Sequence, residues 1–227
     1  MSMIDLNDEQ EQRERNYGPV PCGSKVLVRL EVQKPKYASR DDEMVAMTKS
    51  GLLQLQCKIV VCAGSYEGCW WYENITLPSR IQTIRLDENL QTACRIGGSM
   101  LRAIIESVRS IDPKASDQKA TRARQINSWL DFDGLEFPVR LGIDKRPYEG
   151  KDGKTYWNNR LGSVIPCTAK EYADIMAGGE IITDGPVSGE ESYKNGRQPS
   201  YGQNGVQVRE SLPYDGTPPP DDDLVPF

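Results

Sequence analysis

No histidine occurs anywhere in these 227 residues. That absence removes Ser-His and Cys-His nucleophilic systems and imidazole acid–base catalysis. It also makes any zinc site depend on four thiolates, yet the six cysteines (Cys22, Cys57, Cys62, Cys69, Cys94 and Cys167) form no CxxC pair. Cys57, Cys62 and Cys69 fall at strand-like positions, so reduced, buried thiols in a cytoplasmic protein are expected, with no metal and no cofactor. No stretch approaches the ~18–20 apolar residues of a membrane helix. The start, Met1-Ser2-Met3-Ile4-Asp5, has neither the basic residues nor the apolar run of a secretory signal. Phenylalanine is scarce as well. There are three, and one is the last residue.

Hydrophobic residues make up 37% of the chain, against ~45–50% apolar, glycine included, in an ordinary globular protein. The deficit is local. From Gly179 onward nine acidic residues face three basic ones, a net of −6, and residues 1–16 carry five acids against two arginines, a net of −3. Subtracting both from the total of −5 leaves 17–178 at +4. The composition therefore divides the chain into a polar arm (1–17), a mildly basic folded domain (18–178) and an acidic, Gly/Pro-rich tail (179–227) that is expected to be disordered.

Alternation marks the strands. Val26, Val28, Leu30 and Val32 share one face over 25–33, and Leu53, Leu55, Cys57, Ile59 and Val61 share one over 53–61. A turn at Ala63-Gly64-Ser65 leads into an aromatic-rich strand over 69–77, which predicts a hairpin. Residues 34–50 lack periodicity and read as a loop. Asp87 is the expected N-cap of a helix carrying Leu90, Ala93, Cys94, Leu101, Ile104, Ile105, Val108 and Ile111, which Gly97-Gly98 should bend or split. A basic stretch over 114–129 reads as a second short helix. Strands follow over 135–143 and 155–165, separated by a charged loop, and Thr168 should cap a last short helix ending at Gly178-Gly179. Three strands, a helix and two strands is the element order of a five-stranded Greek-key barrel of the OB type, with the helix between strands three and four.

Holding a single nucleic-acid strand takes cations along a backbone track and flat rings for base stacking. Trp70 and Tyr72 have the opposite phase to Trp71, Ile75 and Leu77, so one set should face outward, with Trp71 the core member. Arg29 and Lys58 lie on the outward phase of the first two strands. The loops after strands one and four flank the groove of an OB fold. Here the second of these, with its flanks, carries Arg140, Lys145, Arg146, Tyr148, Lys151, Lys154, Tyr156, Trp157 and Arg160. The loop after strand one (Lys34, Lys36, Tyr37 and Arg40) repeats the theme more weakly. These residues form the expected interface with single-stranded DNA. Asp131 and Asp133 are the candidate carboxylates for a metal-dependent nuclease, but no third carboxylate can be placed beside them, so no enzymatic activity is expected.

The chain closes on Asp221, Asp222, Asp223, Leu224, Val225, Pro226 and Phe227. A basic-rimmed pocket on another protein could take the aspartates and carboxylate while an apolar floor takes the ring. This end resembles the C-terminal tip of bacterial single-stranded DNA-binding proteins, with Leu224-Val225 where that family usually has one aliphatic residue. The body is similar to phage-encoded proteins of the DUF669 type in Lys49-Ser50-Gly51-Leu52, Tyr66-Glu67-Gly68-Cys69-Trp70-Trp71, Leu135-Glu136-Phe137-Pro138-Val139, Trp157-Asn158-Asn159 and Val164-Ile165-Pro166. The resemblances imply a phage single-stranded DNA-binding protein of replication or recombination. Its tip would recruit a polymerase, helicase, primase or recombinase, raising that partner's effective concentration through a flexible tether. An OB-fold adaptor that binds protein alone is the competing expectation. Oligomeric state is not legible in the sequence.

Overall fold

The computed structural model describes residues 18–188 apart from 41, 145, 146, 150–152 and 154. Along the chain run strands β1 (Lys25–Val32), β2 (Val45–Met47), β3 (Leu53–Val61) and β4 (Trp70–Thr76), then helices α1 (Glu88–Val108) and α2 (Gln118–Ala123). Strands β5 (Leu135–Ile143), β6 (Tyr148–Glu149), β7 (Thr155–Tyr156) and β8 (Asn159–Val164) follow, and helix α3 (Tyr172–Met176) comes last. Single 3-10 turns lie at Ser79–Ile81 and Trp129–Phe132.

Six of the strands form one antiparallel sheet that does not close, in the order β2-β3-β1-β5-β8 with β4 also paired to β3. The inward phase of each alternating strand builds the core. Val26, Val28 and Leu30 of β1, Leu55, Cys57 and Ile59 of β3, and Phe137, Val139 and Leu141 of β5 meet Trp71, Ile75 and Leu161 from the two outlying strands. Leu101, Ile104 and Ile105 of α1 complete this core. Burial is the main reason that the Cys57 thiol is held far above its ordinary range and that Cys62 is pushed up to about 11, so both stay protonated at neutral pH.

The expected strand positions and the β3–β4 hairpin are present, with Ile59 opposite Trp71 and Lys58 opposite Tyr72. Other expectations need correcting. The sheet has six strands where five were expected, because the 34–50 segment contributes β2, which pairs Val45 with Leu55. Three residues are too short a run for alternation to show. The expected strand over 155–165 is broken into β7 and β8, because Trp157 and Asn158 turn the chain between a small hairpin and the main sheet. The basic 114–129 stretch does hold the expected second short helix, as the six residues of α2 followed by irregular chain. Thr168 caps no helix: α3 starts at Tyr172, and Glu171 holds its N-cap position without a side-chain cap bond.

Helix α1 begins as expected, with the Asp87 carboxylate accepting the Leu90 amide at 2.8 Å. Gly97-Gly98 does not split it, and one helix of 21 residues runs through both. A Cβ at Gly97 would sit 1.9 Å from the Thr76 carbonyl oxygen. The glycine lets the helix backbone lie directly on the end of β4, a close approach that a side chain would block.

On the outer side of the sheet α3 covers Leu27 and Ile165 with Ile175. Chain beyond Gly179, which the composition assigns to the tail, is fastened to β1 at its start. Ile181 and Lys25 exchange backbone hydrogen bonds, and the Cys22 amide donates to the Pro186 carbonyl at 3.0 Å. Among the described residues no helix is long and apolar enough to cross a membrane.

Candidate nucleic-acid interface

The outward phase of the sheet away from α3 carries two rungs of cross-strand neighbours. One runs Trp70, Val60, Arg29, Glu136, and the next runs Tyr72, Lys58, Glu31. The phase question of β4 is resolved by burial: Trp71 is 3% exposed, whereas Trp70 and Tyr72 are 54% and 66% exposed. Their rings meet edge-on with centroids 5.3 Å apart, and the Lys58 ammonium lies 5.3 Å from the Trp70 centroid. A cation beside two exposed rings is a local arrangement suited to a base and its phosphate.

Arg29 and Lys58 are outward as expected, but neither is an unpaired cation. Arg29 donates through Nε and Nη2 to Glu31 at 3.3 and 3.1 Å and lies 3.9 Å from Glu136. The Glu31 hydrogen bond is the main reason its guanidinium is held still more firmly charged. Lys58 shares the same carboxylate at 3.4 Å. The sequence did not reveal Glu31 and Glu136 as partners on this face. Glu31 shares a face with Arg29 two residues along β1, whereas its place opposite Lys58, and that of Glu136 opposite Arg29, needed the strand pairing.

A second element joins Trp70. The Tyr148 and Tyr156 rings, opposite each other in the β6–β7 hairpin, are stacked with centroids 5.4 Å apart and planes inclined by 23°. Both are exposed. They border a cleft of about 600 Å³ whose walls also include Trp70, Trp71, Trp157 and the Glu67-Gly68-Cys69 turn. Asn159 holds the base of this cleft together. Its carboxamide accepts from the Val20 amide and donates to the Val20 carbonyl, both at 2.8 Å. The Asp144 amide donates to the Asn158 carbonyl at 2.9 Å and closes the root of the hairpin.

The chain matches no protein-family model and no curated protein.

The structure thus brings Trp70, Tyr148, Tyr156 and Trp157 to one cleft, with Tyr72 and Lys58 on the face beside it. It does not bring Arg140 or Arg160 to that cleft. Arg140 is exposed on β5 opposite Lys25 and Ser163, toward the end that α3 covers. Arg160 lines a separate pocket with Glu73, Ile96, Gly97 and Met100, its stem packed over Gly142. Lys145, Arg146, Lys151 and Lys154 lie outside the described residues, as do Asp221, Asp222, Asp223, Leu224, Val225, Pro226 and Phe227. On the loop after β1, Tyr37 is exposed beneath Lys36, while Lys34 pairs with Glu43 at 2.7 Å.

The two DFDG carboxylates have backbone partners. Asp133 accepts the Val32 amide at 2.8 Å and Asp131 accepts the Asn127 amide at 2.7 Å. Each anchors the chain that leads into β5.

Proposed function

We propose that this protein binds single-stranded DNA, laying bases on Trp70, Tyr72 and the Tyr148–Tyr156 pair. The carrying observation is the exposure of these rings around one cleft and its adjoining face, with Lys58 beside Trp70. On a folded domain, exposed rings clustered in this way signal a ligand, and stacking suits a strand read without sequence preference. The element order and the antiparallel sheet support an OB-type barrel left partly open, with α1 between its third and fourth long strands.

Within this reading the protein acts in the cytoplasm, in replication or recombination of a phage. It coats exposed strands while the tip at Asp221, Asp222, Asp223, Leu224, Val225, Pro226 and Phe227 recruits a polymerase, helicase, primase or recombinase. It is a binding protein and not an enzyme. The ion pairing of Arg29 and Lys58 with Glu31 favours a second reading, a protein-binding adaptor, because it lowers the positive field on the face.

Titration with labelled oligothymidine separates the two. The DNA reading requires saturable binding at moderate salt that weakens in Trp70→Ala and Tyr156→Ala. An adaptor shows none.

A further inference from the structure

A second cavity is remote from the aromatic cleft. It is a groove of about 850 Å³ between the turn after β4, the middle of α1 and the chain around α2. Arg80, Arg95, Arg102 and Arg124 all line it, and no aspartate, glutamate or aromatic ring does among the described residues. Arg95, Ser99 and Arg102 stand on one face of α1, at the i, i+4, i+7 spacing that aligns side chains along a helix.

Two of the four guanidiniums are fixed in place from behind. Glu106, only 5% exposed, accepts from Arg102 Nε at 2.7 Å and from Arg124 Nε at 2.6 Å. Arg102 also donates to the Pro113 carbonyl and Arg124 to the Asp112 carbonyl, at 3.3 and 3.2 Å. A guanidinium has five donors, so both keep N–H groups to spare. One buried carboxylate shared by two arginines orients them without neutralising the groove, which keeps a net positive charge.

We infer that this groove is a base-independent track for a phosphodiester backbone, continuing the strand held at the aromatic cleft. The inference rests on the single-stranded DNA reading. Planar guanidiniums bind phosphate oxygens in pairs, and hydroxyls from Ser79, Ser99 and Ser116 offer further donors. With no aromatic ring in its wall among the described residues, the groove lacks the base-stacking platforms of the cleft. Strand β4 connects the two sites: Trp70 at its start borders the cleft, and Pro78 and Arg80 just past its end border the groove. At ~3.3 Å per residue that separation is roughly 30 Å, a span for several nucleotides and too long for one.

The test uses the full chain and an abasic deoxyribose-phosphate oligomer, which keeps the backbone charge and removes the bases. The variant is Arg80→Gln with Arg95→Gln, because neither arginine bonds Glu106 and the buried pairing survives. The abasic oligomer should bind the parent protein and Trp70→Ala equally, and the double variant much more weakly. An oligothymidine of roughly four nucleotides should not distinguish the double variant from the parent, whereas one of roughly sixteen should. For the longer strand the salt slope should fall by about 1.4, two phosphates at ~0.7 each. Abasic binding that is absent, or undiminished in the double variant, overturns the inference. So does a peptide of residues 213–227 that binds through Arg80 and Arg95 when the abasic oligomer does not. Failure of the DNA reading looks different: oligothymidine then shows no saturable binding to the parent, or binds parent and Trp70→Ala alike, whatever the abasic arm shows.

Discussion

The Glu73 carboxylate accepts the Leu161 amide at 2.8 Å, bridging from β4 to β8 where the sheet does not close. A backbone ladder would leave no such gap, so one side chain supplies the link between two strand edges. Glu73→Ala leaves a donor without its partner, and a loss of ~1–3 kcal/mol is expected by urea unfolding. Glu73→Gln keeps a carbonyl oxygen for that amide and should retain most of the stability.

The same residue gives a pH dependence. Burial pushes the Glu73 carboxyl above its ordinary value, against the opposing pull of the Leu161 amide and the Arg160 charge. The Trp71 indole also favours the charged form, without meeting hydrogen-bond geometry. A raised folded value means that the native state holds this proton more tightly than the unfolded chain. This group's contribution is therefore greatest below the ordinary carboxylate value and declines as pH rises through the folded value. Glu73→Gln removes that decline. Its stability relative to the parent should increase with pH across this window, as followed by urea midpoints.

Gly97→Ala would gain ~1 kcal/mol of helix propensity in an isolated helix. Here the added Cβ meets the Thr76 carbonyl oxygen at 1.9 Å, a backbone atom that cannot swing away. The variant should lose ~1–3 kcal/mol on thermal unfolding, as overpacked sites do. Gly98→Ala meets only the Pro78 ring, at 3.3 Å, and should be near neutral.

Glu31 restrains two cations at once. Glu31→Gln should release Arg29 and Lys58 toward a bound strand, tightening oligothymidine binding at low salt. The salt slope should steepen by about 0.7 for each further phosphate neutralised. A weaker affinity in this variant would show that the carboxylate organises the face and does not restrain it.

Much of the fold was legible in the sequence because it is periodic. The two-residue phase of β4 separated Trp70 and Tyr72 from Trp71, and Asp87 announced α1 by its capping chemistry. What escaped depends on neighbours distant in sequence. Gly97 reads as a helix breaker until Thr76 is found against it. Lys58 and Arg29 read as outward cations, and strand register is what sets Glu31 opposite Lys58 and Glu136 opposite Arg29. Arg80, Arg95, Arg102 and Arg124 are scattered over more than forty residues, and only the packing of α1 against its neighbours gathers them. Asp131 and Asp133 look like paired catalytic carboxylates, yet each is occupied by a backbone amide.

The central claim is that exposed rings on β4 stack on single-stranded DNA, and intrinsic tryptophan fluorescence tests it most directly. Oligothymidine should quench the emission saturably, and Trp70→Ala should remove most of the quenching and cost ~1–3 kcal/mol of affinity. Unchanged quenching and affinity in Trp70→Ala would contradict the account.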